Sequence, residues 1–379
     1  MKLFRLFTIL TILCSIILTS CGDKTVDVVI PPLSIPTIYE SANFTTNAAT
    51  QIGVGNRLVG ITNEAKKGRT TGAKVSADSL NFWFTTATPN LKTVSTAYYT
   101  GKLEGATGWF AEIAKASGGT YTPSATITGN GGAFGGYLFD ENGLEIEQLI
   151  EKGLFGSVLY NHATTLLSGK ITAETVDQAI AIFGANPTFP NTPTAAKTAQ
   201  PDKYMANYAA RRDKNDGKGY YSQLKNAFLK LQAAVKGGDN YNKERDEAVA
   251  EIKLNWEKVN AATIINYCHA VVATMSATTT TDAQKGSALH AYGECVGFAH
   301  GFRTVAASQK KITDAQIDEV LDLLNAPANG TPTSFKFITE PVTQLPRLTQ
   351  IITKLKAIYG FTDAEIEDFK SNWVSVQGR

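Results

Sequence analysis

The chain has 379 residues, 43% of them hydrophobic, enough for one large domain or two small ones. Lys plus Arg number 36 and Asp plus Glu 34, a formal charge of +2, which excludes a polyanion binder driven by bulk charge; no nucleic-acid partner is expected. Four Cys and four His are too few for a disulfide scaffold or a multi-zinc protein, and 9% aromatic with 18% charged residues argues against disorder.

Residues 1–20 read as an export signal. Lys2 and Arg5 give the positive end, and Leu6 to Leu18 is an apolar run shorter than the roughly 20 residues that span a bilayer. The run ends in Leu18-Thr19-Ser20-Cys21-Gly22, which resembles the lipobox of bacterial lipoproteins. That resemblance implies cleavage before Cys21 and a diacylglycerol on its sulfur, usually with a third acyl chain on its amine. Two or more chains anchor stably where one does not. Removing the signal removes Lys2 and Arg5 and leaves 34 basic and 34 acidic residues, so attachment would rest on lipid and not on a polybasic patch. The expected partner is the membrane, the expected location the bacterial cell envelope at the outer membrane.

Residues 21–38, with Pro31, Pro32 and Pro36, read as a flexible tether; the folded part begins near Tyr39. Beyond it the signals are mostly helical, and the fold class is all-α. Helical periodicity runs through Gly143–Leu167, Thr172–Phe183, Tyr221–Val235, Glu244–Met275, Gln284–Ser308 and Leu345–Ile358. Thr313-Asp314-Ala315-Gln316 and Thr362-Asp363-Ala364-Glu365 are capping boxes, and Gly360 marks a helix end. Ser79–Thr86 and Ser124–Thr128 read as short extended pieces. The Gly-rich run Gly129–Gly136 reads as a loop, and no nucleotide-binding fingerprint is present. A Pro-rich break at 186–201 divides a helical bundle over 39–185 from a second over 202–379.

Two constellations carry candidate chemistry. Glu145, Gln148 and Lys152 step by three and four and share a helix face, as a ligand site or as a polar stripe at a seam. Gly156 continues their line and permits a close approach. His290 and Glu294 are four apart, separated by roughly 40° around a helix, and both could reach one metal ion or fasten two helices by a hydrogen bond. A zinc-protease helix needs a second His at this spacing, so that reading fails on ligand count. Gly286, Gly293, Gly297 and Gly301 lie near the same side and suggest close packing or a recess. His300 sits about 80° from His290, outside its reach. His162 reads as a core histidine, and His269 adjoins Cys268. Cys268 and Cys295 read either as a disulfide or as two buried thiols. A metal ion is one candidate cofactor. Haem is the other, for which Tyr204, Tyr208, Tyr220 and Tyr221 with Arg211 and Arg212 are the available groups. No Gly-x-Ser-x-Gly or other nucleophile motif is present.

Four segments then stand out together: Gly143-Leu144-Glu145-Ile146-Glu147-Gln148 running into Glu151-Lys152-Gly153-Leu154-Phe155-Gly156; Tyr204 to Asp213; Trp256 to Thr263; and His290-Ala291-Tyr292-Gly293-Glu294. In this order, after a lipobox, they resemble the bacterial lipoprotein family named domain of unknown function 4856, which is similar to imelysin-like proteins. The resemblance covers about 39–379. It implies an all-helical fold of two packed bundles and an association with iron or haem uptake, with metallopeptidase activity in some imelysin relatives. The imelysin hallmark is Gly-x-His-x-x-Glu. Aligned on Gly143, this chain has Glu145 in place of the His and Gln148 in place of the Glu, so the resemblance implies a non-enzymatic module that binds a small ligand or an envelope protein. A metal-dependent peptidase is the alternative.

Overall fold

The computed structural model describes residues 30–192 and 200–379. The expected signal, Cys21 and Pro193 lie outside these residues. Among the described residues no helix is long and apolar enough to cross a membrane.

Leu33–Arg379 is one compact, mostly helical unit. Its start is pinned where Tyr39, buried, donates a hydrogen bond to the Asp177 carboxylate at 2.6 Å. The front part contains α1 (Ala49–Lys66), α2 (Ala77–Thr85), α3 (Ala97–Leu103), α4 (Trp109–Ala116), α5 (Ile146–Leu154), α6 (Asn161–Leu166) and α7 (Ala173–Phe183). The back part contains α8 (Tyr204–Arg211), α9 (Tyr220–Gly237), α10 (Asn242–Met275), α11 (Asp282–Gly301), α12 (Asp314–Leu323), α13 (Pro341–Tyr359) and α14 (Asp363–Asp368). The long α10, about 51 Å at 1.5 Å per residue, is the spine. It packs on α9, α11 and α13, and α11 in turn packs on α5. The stretch at 186–201 is crossed by this last contact: front and back helices share one apolar core, with Phe183, Trp256 and Tyr160 ring to ring.

Several boundaries follow the predicted chemistry. The Thr313 and Thr362 capping boxes form, and Gly360 ends α13 at φ +69°. Other elements differ. Ser79–Thr85 is not extended but belongs to α2, whose first turn is capped by the Ser76 hydroxyl accepting from the Ser79 N–H, and Thr86 of the expected extended piece ends the helix. Its aromatic residues favour either state, and burial of Leu80 and Phe84 on one face decides for helix. Ser124–Thr128 forms no strand. Part of the Gly-rich loop is a hairpin, β1 (Gly132–Phe134) against β2 (Tyr137–Phe139), antiparallel, with Gly135 and Gly136 turning at positive φ. α11 ends at Gly301, short of Ser308, because Thr304 takes φ +64° and leads the chain away. The segment Gly143–Leu167 is α5, then a π-helical stretch at Phe155–Tyr160, then α6.

Candidate functional site

α5 and α11 approach closely because both carry glycine along the contact. A Cβ at Gly297 would strike the Gln148 carbonyl oxygen, and one at Gly301 the Gly153 carbonyl oxygen. Gly156, inside the π stretch, meets Gly301 in return. The predicted small-residue stripe is therefore a packing seam.

At the N-terminal end of that seam, the two predicted constellations come together. Glu145, immediately before α5, and Gln148 and Lys152 on it are all buried, the first two at 0% exposure. His290 on α11 places Nδ1 2.7 Å from Glu145 Oε2. One turn on, Glu294 Oε1 lies 3.2 Å from Lys152 Nζ and accepts from the Tyr208 hydroxyl. His290 and Glu294 thus turn to different partners. Among the described residues no group of three or more His, Cys, Asp or Glu side chains could hold a metal ion.

The surrounding charges form one network. Arg69, on the 3-10 turn Lys67–Arg69 that continues α1, donates from Nε to Glu147 Oε2 at 2.5 Å and from Nη2 to Glu145 Oε1 at 3.2 Å. Lys152 Nζ also contacts Glu151 at 2.9 Å, and Lys66 reaches Glu151 at 3.4 Å. The hairpin delivers Tyr137 between His290, stacked on it at 4.3 Å, and Arg69, whose guanidinium lies 4.9 Å from its ring centre.

Burial and pairing compete at each group. Burial alone would lower the Lys152 pKa, but Glu151 and Glu294 outweigh it and hold the ammonium charged. Burial would raise Glu151, yet Lys152 and Lys66 push it down to about 2. At Glu147, burial and the neighbouring Glu145 win over Arg69, and the carboxyl is pushed up to about 7. Burial opposes protonation of His290, but the charge and hydrogen bond of Glu145 prevail, and its pKa is raised.

This network lines a pocket of about 520 Å³ with Phe155, Tyr204, Tyr208, Tyr267, Lys203 and Arg211. A volume of this size suits a small ligand. Gln148 Nε2 donates to Glu147 at 3.2 Å, which leaves its buried Oε1 as an acceptor without a protein partner.

The other predicted groups fall elsewhere. The tyrosine set divides: Tyr204 and Tyr208 line the pocket, whereas Tyr220 donates to Glu365 and Tyr221 to Asp202. Arg211 lines the pocket; Arg212 is buried and donates to the Phe369 carbonyl. His300 stands in an aromatic enclosure of Tyr98, Tyr99 and Trp109, apart from His290. His162 and His269 are partly buried, and burial lowers both pKa values. Cys268 and Cys295 are buried free thiols with sulfurs 3.9 Å apart.

Arg69, Glu147, Lys66, Glu151, Lys203 and Tyr267 were not singled out by spacing. Glu147 and Glu151 are adjacent in sequence to predicted residues, and the acid-rich turn beside Lys152 is the signal that could have found them.

A family described as "Domain of unknown function (DUF4856)" matches residues 161–362. The match takes in α8, Tyr267 and α11 and begins after α5, so it contains one wall of the pocket. No curated protein and no solved structure matches the chain.

Proposed function

We propose, from the premise that this chain belongs to the DUF4856 family, that it is a cell-envelope lipoprotein whose helical body binds a small ligand in the seam pocket and performs no chemistry on it. One observation carries the binding reading: a completely buried side chain, Gln148, borders a pocket in a charge-paired network and keeps an acceptor oxygen unpartnered. An orphaned buried acceptor costs roughly 1–3 kcal/mol, and a ligand donor placed against it recovers that cost. The Glu145–His290 and Lys152–Glu294 pairs already satisfy the groups a peptidase would need to present to a metal and a water, which supports binding over hydrolysis. The anchor rests on the sequence around Cys21, and the link to iron or haem uptake rests on the imelysin resemblance.

The full chain, purified from membranes in detergent and then denatured, should release a small molecule detectable by mass spectrometry. Titration of haem and of ferric iron covers the ligands the resemblance implies, a Soret shift being the sign of haem. Release of nothing, together with a pocket indifferent to Gln148→Leu in every titration, would defeat the binding reading. Cys21→Ala should move the protein from the membrane to the soluble fraction; retention on the membrane would contradict the anchor.

A further inference from the structure

We infer that the pocket takes an organic carboxylate with an apolar middle and a hydrogen-bond donor, such as a hydroxyl, at its far end. The inference rests on the ligand-binding reading above and gives it a chemical class.

Two of the pocket's cationic side chains stand outside the ion-pair network. Lys66, Arg69 and Lys152 are each paired with carboxylates of the network. Lys203 and Arg211 line the same pocket and make no ion pair among the described residues. Arg211 is half-buried and lies over the Tyr208 ring, its guanidinium carbon 5.0 Å from the centroid. A guanidinium held against an aromatic face keeps its edge free, and that edge matches a carboxylate with two parallel hydrogen bonds. The exposed Lys203 ammonium adds a second, flexible donor.

Charge count selects the anion. The cations Lys66, Arg69, Lys152, Lys203 and Arg211, together with His290 on Glu145, outnumber the carboxylates Glu145, Glu147, Glu151 and Glu294 of the network. A carboxylate answers that excess. A phosphate dianion would bring a second negative charge beside Glu151 and Glu294, where like charges repel.

Shape and the orphan acceptor define the rest. Phe155, Tyr204 and Tyr208 give the pocket an aromatic wall that covers an apolar chain. Gln148 Oε1 accepts and cannot donate, because Nε2 is committed to Glu147 and fixes the amide. A donor on the ligand, placed beside Gln148, answers this acceptor.

The test is a calorimetric titration of the full chain in detergent with four probes: caproate, ε-hydroxycaproate, hexylamine and inorganic phosphate. ε-Hydroxycaproate should bind best, caproate next, and hexylamine and phosphate at least about tenfold more weakly than caproate, the ratio expected for hydrogen bonds to a charged group. Arg211→Gln should weaken both carboxylates about tenfold or more while leaving the unliganded melting temperature unchanged, which shows that the fold survives. Gln148→Leu should abolish the advantage of ε-hydroxycaproate over caproate. Hexylamine binding as well as caproate, carboxylate binding indifferent to Arg211→Gln, or no binding of either carboxylate would overturn the class. Small-molecule release from the membrane-purified chain would still stand in each of those cases, so failure of the class and failure of the pocket are told apart.

Discussion

α11 carries two histidines roughly three turns apart, and the two are treated in opposite ways. His290 sits among charges: Glu145 on Nδ1, Glu294 one turn away, Arg69 beyond, and Tyr137 stacked on its face. His300 sits among rings, with Tyr98, Tyr99 and Trp109 around it and Nδ1 unpartnered. The first has its pKa raised, and burial pushes the second down to about 3, with Lys102 and Arg303 adding to the effect. One helix therefore carries a polar end suited to a ligand and an apolar end suited to packing. What separates them is the partner each receives, not the residue type.

The seam common to both ends is the place to break the contrast most severely. Gly297→Leu forces a side chain into the Gln148 carbonyl and should cost about 3 kcal/mol or more, measured by urea unfolding, with both histidine environments disturbed together. Next in size, Lys152→Met strands Glu294 and Glu151 in a buried setting and should cost about 3–5 kcal/mol. Adding Glu294→Gln should recover part of that loss; a double variant no better than the single would show that the pair is not what Lys152 stabilises.

The histidines themselves sharpen the comparison through opposite pH slopes. His300 has a depressed folded pKa, so below 6.5 the unfolded chain takes up the proton first. Stability should fall by about 1.4 kcal/mol per pH unit from pH 6.5 towards about 3, and His300→Phe should flatten that slope in unfolding measured at successive pH values. His290 has a raised folded pKa. Its pair with Glu145 is fully present below 6.5 and its contribution is lost as pH rises through the raised value. His290→Phe should remove that alkaline-side loss and leave the acid side unchanged. The smallest effect is expected at the thiols: Cys268 and Cys295 should resist alkylation in the folded protein and both react after unfolding under non-reducing conditions.

Much of this was legible in the residues. The three-and-four spacing of Glu145, Gln148 and Lys152, and the spacing of His290 and Glu294, are local properties of a helix, and local properties survive folding. That the two sets would meet was not legible, because Glu145 and His290 are 145 residues apart and only the packing of α5 on α11 joins them. Arg69 was invisible for the same reason: it arrives from a helical turn 76 residues before Glu145. Helix α1 was missed because Gly53, Gly55 and Gly60 dilute its periodicity; two of them exist to receive Tyr204 and Trp83 from other elements. Gly129–Gly136 read as a loop, yet its hairpin brings Tyr137 onto His290, since glycine composition signals turning but not what the turn carries.

The wide turn at Phe155–Tyr160 has a consequence for how the chain tolerates change. Its wider i→i+5 spacing sets the rotational phase between Ile146–Leu154 and Asn161–Leu166, the two halves of one continuous rod. The wide turn takes up one residue more than an α-turn, so deleting a single residue there would restore a regular helix with Asn161–Leu166 near its present phase, whereas a deletion in the regular turns on either side would rotate it by roughly 100°. That one widened turn of backbone keeps two halves in step, and it makes the stretch more forgiving of a one-residue deletion than the regular turns beside it.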